Sequence, residues 1–410
     1  MNRKYLTSNL EKAIFSMVLM DKEKIIKTFL EKGYQLDSKS LDFFLNNYEK
    51  INIFFEKTKD ATVPATIDLN FVKSLIEQKQ DVEVLKKFEF DAAGKTFMVE
   101  DITKYFAGRY ENLRKYFAGR LELVNLISIN KMTAKTKTFS LIVMVKEKAD
   151  KSLLAEDSTG ETMVRAENEM LDQIVADEVI GIVCEREGDI VVAKKIIFPD
   201  IPLRRDIIRT EKDVCIFFIS NMFLDQIDNS KKILDRISSI SRDKLYVFVL
   251  GNVSSKKEDI TTFFDSLPKD AYKIFLKGDT DPDMEVGDTS LSCQAALVKI
   301  ENSAVVLICN GKIFSEYKKI WKDQTSENVM LSLLKKRHLN PTFDFSKKIS
   351  DEDTHIIDTV PDIFVSSNFG NPGIINYKGT TIVANGSFVL EPIYWLINLK
   401  TRETIKMDFT

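Results

Sequence analysis

From residue 206 to the C-terminus, two hydrophobic rhythms alternate along the chain. Short continuous apolar runs, VCIFFIS (214–220), YVFVL (246–250) and AVVLIC (304–309), predict buried strands. Between and after them, LDQIDNSKKILDRISSIS, KEDITTFFDSL and TSENVMLSLLKKR repeat apolar residues every three or four positions and predict helices. PDIFVSSN, TTIVANGSF and IYWLINL add closing strands, so 206–410 is expected to be an α/β layered domain with its loops gathered at strand ends.

Residues 121–205 carry shorter β-rich segments, LVNLISI, TFSLIVMVK, EVIGIVCER and DIVVAKKIIF, parted by the turn signals DSTGE and REGD. With one helical insertion, EMLDQIVAD, they fit an OB-type β-barrel. Residues 1–50 read as a small helical module: Ser8 and Glu11 form a capping-box pattern, Ile14, Met17, Val18 and Ile25 recur at helical spacing, Gly33 marks a stop, and Asp37 is placed to cap SKSLDFFLNNYEK. Residues 51–120, with Pro64 and charged stretches, read as a connector ending in an amphipathic helix. The expected fold class is therefore multidomain α+β.

That helix contains KYFAGR twice, eleven residues apart, in DITKYFAGRYENLRKYFAGR. Eleven residues are close to three turns, so Tyr105 with Tyr116, Phe106 with Phe117 and Arg109 with Arg120 should share faces. Tyr105, Arg109, Tyr116 and Arg120 are thus candidates for contact with a partner or DNA; the alternative is a helix packing its aromatics on the next domain with solvated arginines.

Composition narrows the function. With 59 basic and 62 acidic residues the formal net charge is −3, against a chain that grips nucleic acid by bulk electrostatics. Cys184, Cys215, Cys293 and Cys309 are scattered, mostly in apolar stretches and without C-x-x-C spacing, which predicts buried reduced thiols. No apolar run approaches membrane-spanning length and MNRKYLTSNLEK lacks a signal-peptide core, so a cytoplasmic protein without a membrane partner is expected. His338 and His355 are the two histidines, too few for a dinuclear centre built on several imidazoles. A packing or helix-end role is expected for His338 and an exposed loop for His355. No phosphate-cradling glycine motif is present, and no small-molecule cofactor is expected.

Four pieces in order, KYFAGRYENLRKYFAGR, the barrel segments EDSTGE and VADEVIGIVCEREGDIVVAKKIIFPDIPL, LSLLKKRHLNPTF, and VPDIFVSSNFG followed by YKGTTIVANGSF, resemble the small subunit of the archaeal family D DNA polymerases. That family joins an OB fold to a calcineurin-like phosphoesterase domain and is related to the B subunits of eukaryotic replicative polymerases. In members with an intact site the resemblance implies a 3′–5′ exonuclease using manganese or magnesium, with ligands on five loops. Two such ions need a bridging carboxylate and imidazoles to activate water and offset charge on the phosphate.

Matched to those loops, Asn221 and Phe223 replace the D-x-H aspartate and histidine, and Asn252 replaces the bridging carboxylate. In the third loop Gly278 and Asp281 match while Asp279 and Thr280 replace asparagine and histidine. Asn310 stands for the fourth loop's histidine, and Asn368 and Gly370 stand in the fifth. An amide lacks the negative charge that holds two dications together. The expectation is a degenerate site with no catalytic residue intact and no metal, on a non-catalytic subunit that binds the large catalytic subunit and, through it, primer-template DNA. Tyr394 and Trp395 are candidate interface residues, the alternative being that Trp395 fills the core. Asp281→Ala is then expected to leave complex formation and polymerase activity nearly unchanged. Two alternatives are an active proofreading exonuclease with an altered site, drawing on Asp225, Asp228, Asp279, Asp281 and Asp283, and a free-standing OB-type single-strand DNA-binding protein.

Overall fold

A computed structural model describes residues 22–48, 50–58, 63–76, 82–90, 98–226, 230–344 and 352–409. Ser8, Glu11, Ile14, Met17, Val18 and Asp228 lie outside the described residues. The chain divides into two compact units, Met1–Asp81 and Val82–Thr410.

In the first unit, helix α1 (22–31) stops at Gly33, whose φ of +83° lies in the left-handed region that glycine enters without a Cβ penalty. The Tyr34 N–H there donates to the Phe29 carbonyl at 3.0 Å. Strand β1 (Gln35–Leu36) leads to α2 (Ser38–Asn46), where Asp37 accepts from the Ser40 N–H at 2.7 Å. Helix α3 (Lys50–Lys57), strand β2 (Thr66–Ile67) parallel to β1, and α4 (Leu69–Ile76) complete the unit. Its core is Ile25, Phe29, Leu41, Phe44, Ile51, Phe54, Ile67 and Val72.

The second unit opens with β3 (Val82–Phe88) and α5 (Val99–Arg114). A closed five-stranded barrel follows, from β4 (Thr138–Ala149), β5 (Ser152–Asp157), β6 (Gly160–Arg165), β7 (Val179–Glu187) and β8 (Ile190–Ile197), with α6 (Asn168–Leu171) between β6 and β7. Closure runs β4-β5-β6-β8-β7, and alternate residues such as Leu141, Val143, Leu153, Val164, Ile180 and Ile182 fill its interior.

The α/β body holds two six-stranded sheets. The first contains β9 (Val214–Ile219), β10 (Lys244–Leu250), β11 (Ala271–Leu276) and β12 (Thr289–Leu291), all parallel, with α7 (Ser230–Ser238) and α8 (Lys257–Ser266) as crossovers. The second is built from β13 (Ala295–Ile300), β14 (Ala304–Cys309), β15 (Ile363–Ser366), β16 (Gly373–Tyr377) and β17 (Thr380–Ala384), with α9 (Ser315–Ile320) and α10 (Ser326–Lys336) on its outer face. β3 adds to its far edge beside β13, and the antiparallel pair β18 (Ile393–Asn398) and β19 (Thr404–Asp408) extends the first sheet from β9. Alternation splits each strand. In β9, Val214, Ile216 and Phe218 face the other sheet, while Cys215, Phe217 and Ile219 meet Ile233, Ile237 and Phe263 of the helices. Both faces of the central strands are therefore buried, which is why they read as unbroken apolar runs. All four cysteines are free and buried, and burial raises Cys184 to about 12 and Cys215 and Cys293 to about 11.

Candidate functional site

The parallel strands β9, β10, β11, β14 and β15 end at one edge of the body, where ligands of open α/β sheets are bound. The five loops leaving those ends are laced together by hydrogen bonds. The Asn221 and Phe223 N–H groups donate to the carbonyls of Gly251 and Asn252 at 3.0 and 3.1 Å. The Asn252 side-chain oxygen accepts from both the N–H and the hydroxyl of Thr280, at 3.2 and 3.1 Å. From the other sheet, the Ser367 N–H reaches the Cys309 carbonyl at 2.9 Å, and the Gly311 N–H reaches the Ser367 hydroxyl at 2.7 Å. Contacts that join the halves include the Asn368 N–H donating to Asn221 Oδ1 at 3.3 Å, the Ser220 hydroxyl donating to the Gly386 carbonyl at 2.8 Å, and Lys312 Nζ lying 2.9 Å from Asp279.

Backbone conformation explains part of the residue choice. Asn221, Phe223 and Asn252 have φ of 51°, 49° and 53°, in the left-handed region that asparagine tolerates and a bulky side chain rarely adopts. Gly278 is forced by crowding, since a Cβ there would lie 2.2 Å from the Asn252 nitrogen. Asn310 caps the 3-10 turn Gly311–Phe314 by accepting from the Lys312 N–H, and Asn368 donates its amide to the Gly370 carbonyl at 2.7 Å.

Asp281 is not a solvated loop carboxylate. It is buried, and its two oxygens accept four backbone N–H groups, from Asn252, Val253, Ser254 and Gly278, at 2.6–3.3 Å. Burial raises its carboxyl above the ordinary range against the pull of those donors. This geometry gives Asp281→Ala an expected effect on stability, separate from its expected effect on complex formation and polymerase activity. Alanine strands four donors in a buried turn and should lower stability by about 2–4 kcal/mol in urea denaturation, asparagine by less. An alanine variant that unfolds at the parent's urea midpoint would show that the carboxylate does not hold these loops.

These donors do not fit a pair of divalent ions. The oxygens of Asp281 are taken by backbone, Asp279 faces Lys312, Asp283 pairs with Lys277, and Asp225 accepts from the Ser255 hydroxyl at 2.9 Å. Among the described residues no group of three or more His, Cys, Asp or Glu is placed to hold a metal ion. Sequence reading missed Asn385, which is buried beside Asn368 with neither side-chain amide atom hydrogen-bonded among the described residues. Its signal was the Asn-Gly pair in VANGSF, a segment read as a closing strand and as part of the family resemblance.

No family model matches the chain. The DNA polymerase II small subunit of Archaeoglobus fulgidus is 23% identical, with 92% of this chain and 86% of that protein covered. Its namesake in Methanothermobacter thermautotrophicus is 24% identical over 83% of this chain and 82% of its own, and that of Thermoplasma acidophilum 21% over 99% and 97%. This chain is a homologue of archaeal DNA polymerase II small subunits. Among solved structures, an archaeal phosphodiesterase covers 48% of this chain and 99% of its own at 11% identity and a TM-score of 0.33, too low to bear on the fold.

The contact residues expected of this small-subunit homologue are mostly interior. α5 ends at Arg114 and Lys115–Phe117 forms a 3-10 turn, so the two KYFAGR copies do not share one helix face. Arg109 is 1% exposed. Its guanidinium binds the Asp353 carboxylate at 2.5 Å, the Asp177 carbonyl at 3.0 Å, the Pro341 carbonyl, and the Tyr105 hydroxyl at 3.1 Å. Tyr105 is buried with it, raised to about 12 by burial. Tyr116 is half-buried under the Arg337 guanidinium at 4.4 Å, and the half-buried Arg120 binds the Pro199 carbonyl. The packing alternative for this helix had solvated arginines; in the structure Arg109 is instead an interior clamp and Arg120 is half-buried. Tyr394 and Trp395 are also buried, on opposite faces of β18. The Tyr394 hydroxyl donates to the Ser220 carbonyl at 3.0 Å.

The histidines sit in the same cluster as Arg109. His338 Nδ1 accepts from the Asn340 N–H at 3.0 Å and Nε2 lies 2.8 Å from Asp353, which defines a neutral Nε2–H imidazole. His355 is not an exposed loop residue: it is largely buried, stacked on Phe90 at 4.3 Å between ring centroids.

Proposed function

We propose that this chain is the non-catalytic small subunit of an archaeal replicative DNA polymerase, binding and stabilising the large catalytic subunit and meeting primer-template DNA through that complex. The observation that carries the reading is similarity to named small subunits over nearly the whole chain. In this reading the helical N-terminal segment is a module of its own, the five-stranded barrel is OB-type, and the two-sheet body is a phosphoesterase-type domain whose metal site is extinct. Support for extinction comes from the loop ends, where amides and one backbone-saturated carboxylate stand in place of a charged ligand set. The buried clamp around Arg109 and the interior positions of Tyr394 and Trp395 favour a rigid scaffold, with contact surfaces elsewhere.

The test is manganese-dependent nucleotide release from a 3′-labelled single strand, by the chain alone and with its co-expressed large subunit, beside a histidine-complete relative. No release in either state is expected while the control cleaves, together with a stable complex of the two subunits on size exclusion. Release that Asp279→Ala abolishes would overturn the non-catalytic reading. Asp279 is the informative position because it is exposed and, among the described residues, ion-paired with Lys312, whereas Asp281→Ala loosens the loops themselves.

A further inference from the structure

Beside Arg109, whose guanidinium lies 5.3 Å from the Phe106 ring, helix α5 carries an apolar stripe that borders an open groove among the described residues. Val99, Ile102, Phe106 and Tyr110, spaced three, four and four residues apart, run along it for about 16 Å. Ile102, Phe106 and Tyr110 line a groove of about 540 Å³ whose opposite wall is Met144 and Lys146 of β4 with Glu156 and Asp157 of β5. At its N-terminal end Met98 and Val99 are 68% and 77% exposed, an apolar continuation of the same stripe.

The rim has one sign. Glu111, Glu156, Asp157 and Asp177 line the groove against a single cation, Lys146, which lies 3.6 Å from Glu156 and also binds Glu161 outside the lining. Arg114, also outside, reaches Glu111 at 3.5 Å. Asp157 and Asp177 accept only backbone N–H and hydroxyl donors and are in no ion pair among the described residues. An apolar floor under an acidic rim selects an occupant with the opposite pattern.

We propose that this groove docks an amphipathic helix of a protein partner, bulky apolar residues inward and lysine or arginine along both flanks. The geometry is helix-in-groove recognition, with α5 and the β4–β5 hairpin as walls and the carboxylates setting orientation. This inference does not depend on which polymerase subunit the chain accompanies.

The experiment uses the full chain and two fluorescent helical peptides of about 14 residues sharing one leucine stripe, one flanked by lysines and the other by glutamates. The lysine peptide should bind saturably and about ten-fold more tightly than its partner at low salt, the difference shrinking as salt rises. Thr103→Arg, an exposed change in the groove wall that spares the core, should abolish binding. Glu111→Lys with Glu156→Lys should invert the preference in favour of the glutamate peptide. Equal affinity for the two peptides, absence of saturable binding, or binding indifferent to Thr103→Arg would each overturn the proposal.

Discussion

Replacing Arg109 with methionine is expected to lower the stability of the barrel and body by about 3–5 kcal/mol, among the largest effects available to one substitution here. The side chain joins three parts: the α5 helix that carries it, the Asp177 carbonyl at the barrel, and Asp353 and the Pro341 carbonyl in the body. Removing it leaves the Asp353 carboxylate, 1% exposed, without its guanidinium. Lysine should not rescue, because one ammonium cannot satisfy a carboxylate and two separated carbonyls as a planar fork does. Urea denaturation of the three proteins decides this, and a lysine variant as stable as the parent would mean that charge alone holds the joint.

Acid should act on the same cluster. Burial, reinforced by the neighbouring His338 and Arg109, lowers His355 from 6.5 to about 4, and burial also lowers His338. The folded chain keeps these rings neutral where the unfolded chain protonates them. Their contribution to stability is full above about pH 6.5 and drains as pH falls toward 4. Asp353, held well below the usual carboxylate range by His338 and Arg109 despite its burial, loses its contribution only in stronger acid.

The second large effect is expected at Lys336. Its ammonium lies 2.8 Å from Glu178, both side chains 2% exposed, donates to the Gln173 carbonyl at 2.7 Å, and sits over the Phe198 ring at 4.1 Å. Lys336→Met should be about 3–5 kcal/mol destabilising because it strands a buried carboxylate. Adding Glu178→Gln should recover much of that loss, since the neutral amide no longer needs a counter-charge. If the double variant is no better than the single one, the deficit lies in packing around Phe198 and Trp321 and not in the unpaired charge. Glu178 belongs to the barrel and Lys336 to α10, so this pair is a second rivet between barrel and body. Trp321, whose indole N–H donates to the Asp172 carbonyl at 2.8 Å, is a third.

What was legible in the sequence follows from which interactions are local. VCIFFIS, YVFVL and AVVLIC announce doubly buried strands, and Asp37 and Gly33 mark helix ends, because those signals lie within a few residues. The five loops were singled out only through the family resemblance, which placed Asn221, Asn252, Asp281, Asn310 and Asn368 in them. Arg109 was not legible: in its helix it looks like an ordinary basic residue, and Asp353 is 244 positions away. The edge strand β3 was obscured by VEVLKKF, whose lysines belong to an edge rather than a core. The role of Asp281 was hidden because nothing local distinguishes a carboxylate in water from one facing four backbone donors.

The asparagines at the strand ends bear on how such a site decays. Asn221, Asn252 and Asn310 each use the side-chain oxygen as an acceptor, a bond that aspartate would make equally well. Asn368 instead uses its amide as a donor, to the Gly370 carbonyl. Carboxylates gathered without metal repel one another, whereas amides keep the acceptor bonds and remove the repulsion. In the proposed reading of an extinct metal site, exchanging acid for amide at Asn221 and Asn252 runs downhill in folding stability once no ion is bound, and reversal runs uphill. On that reading, loss of a metal would act as a ratchet: the loops keep their shape because their residues bind one another.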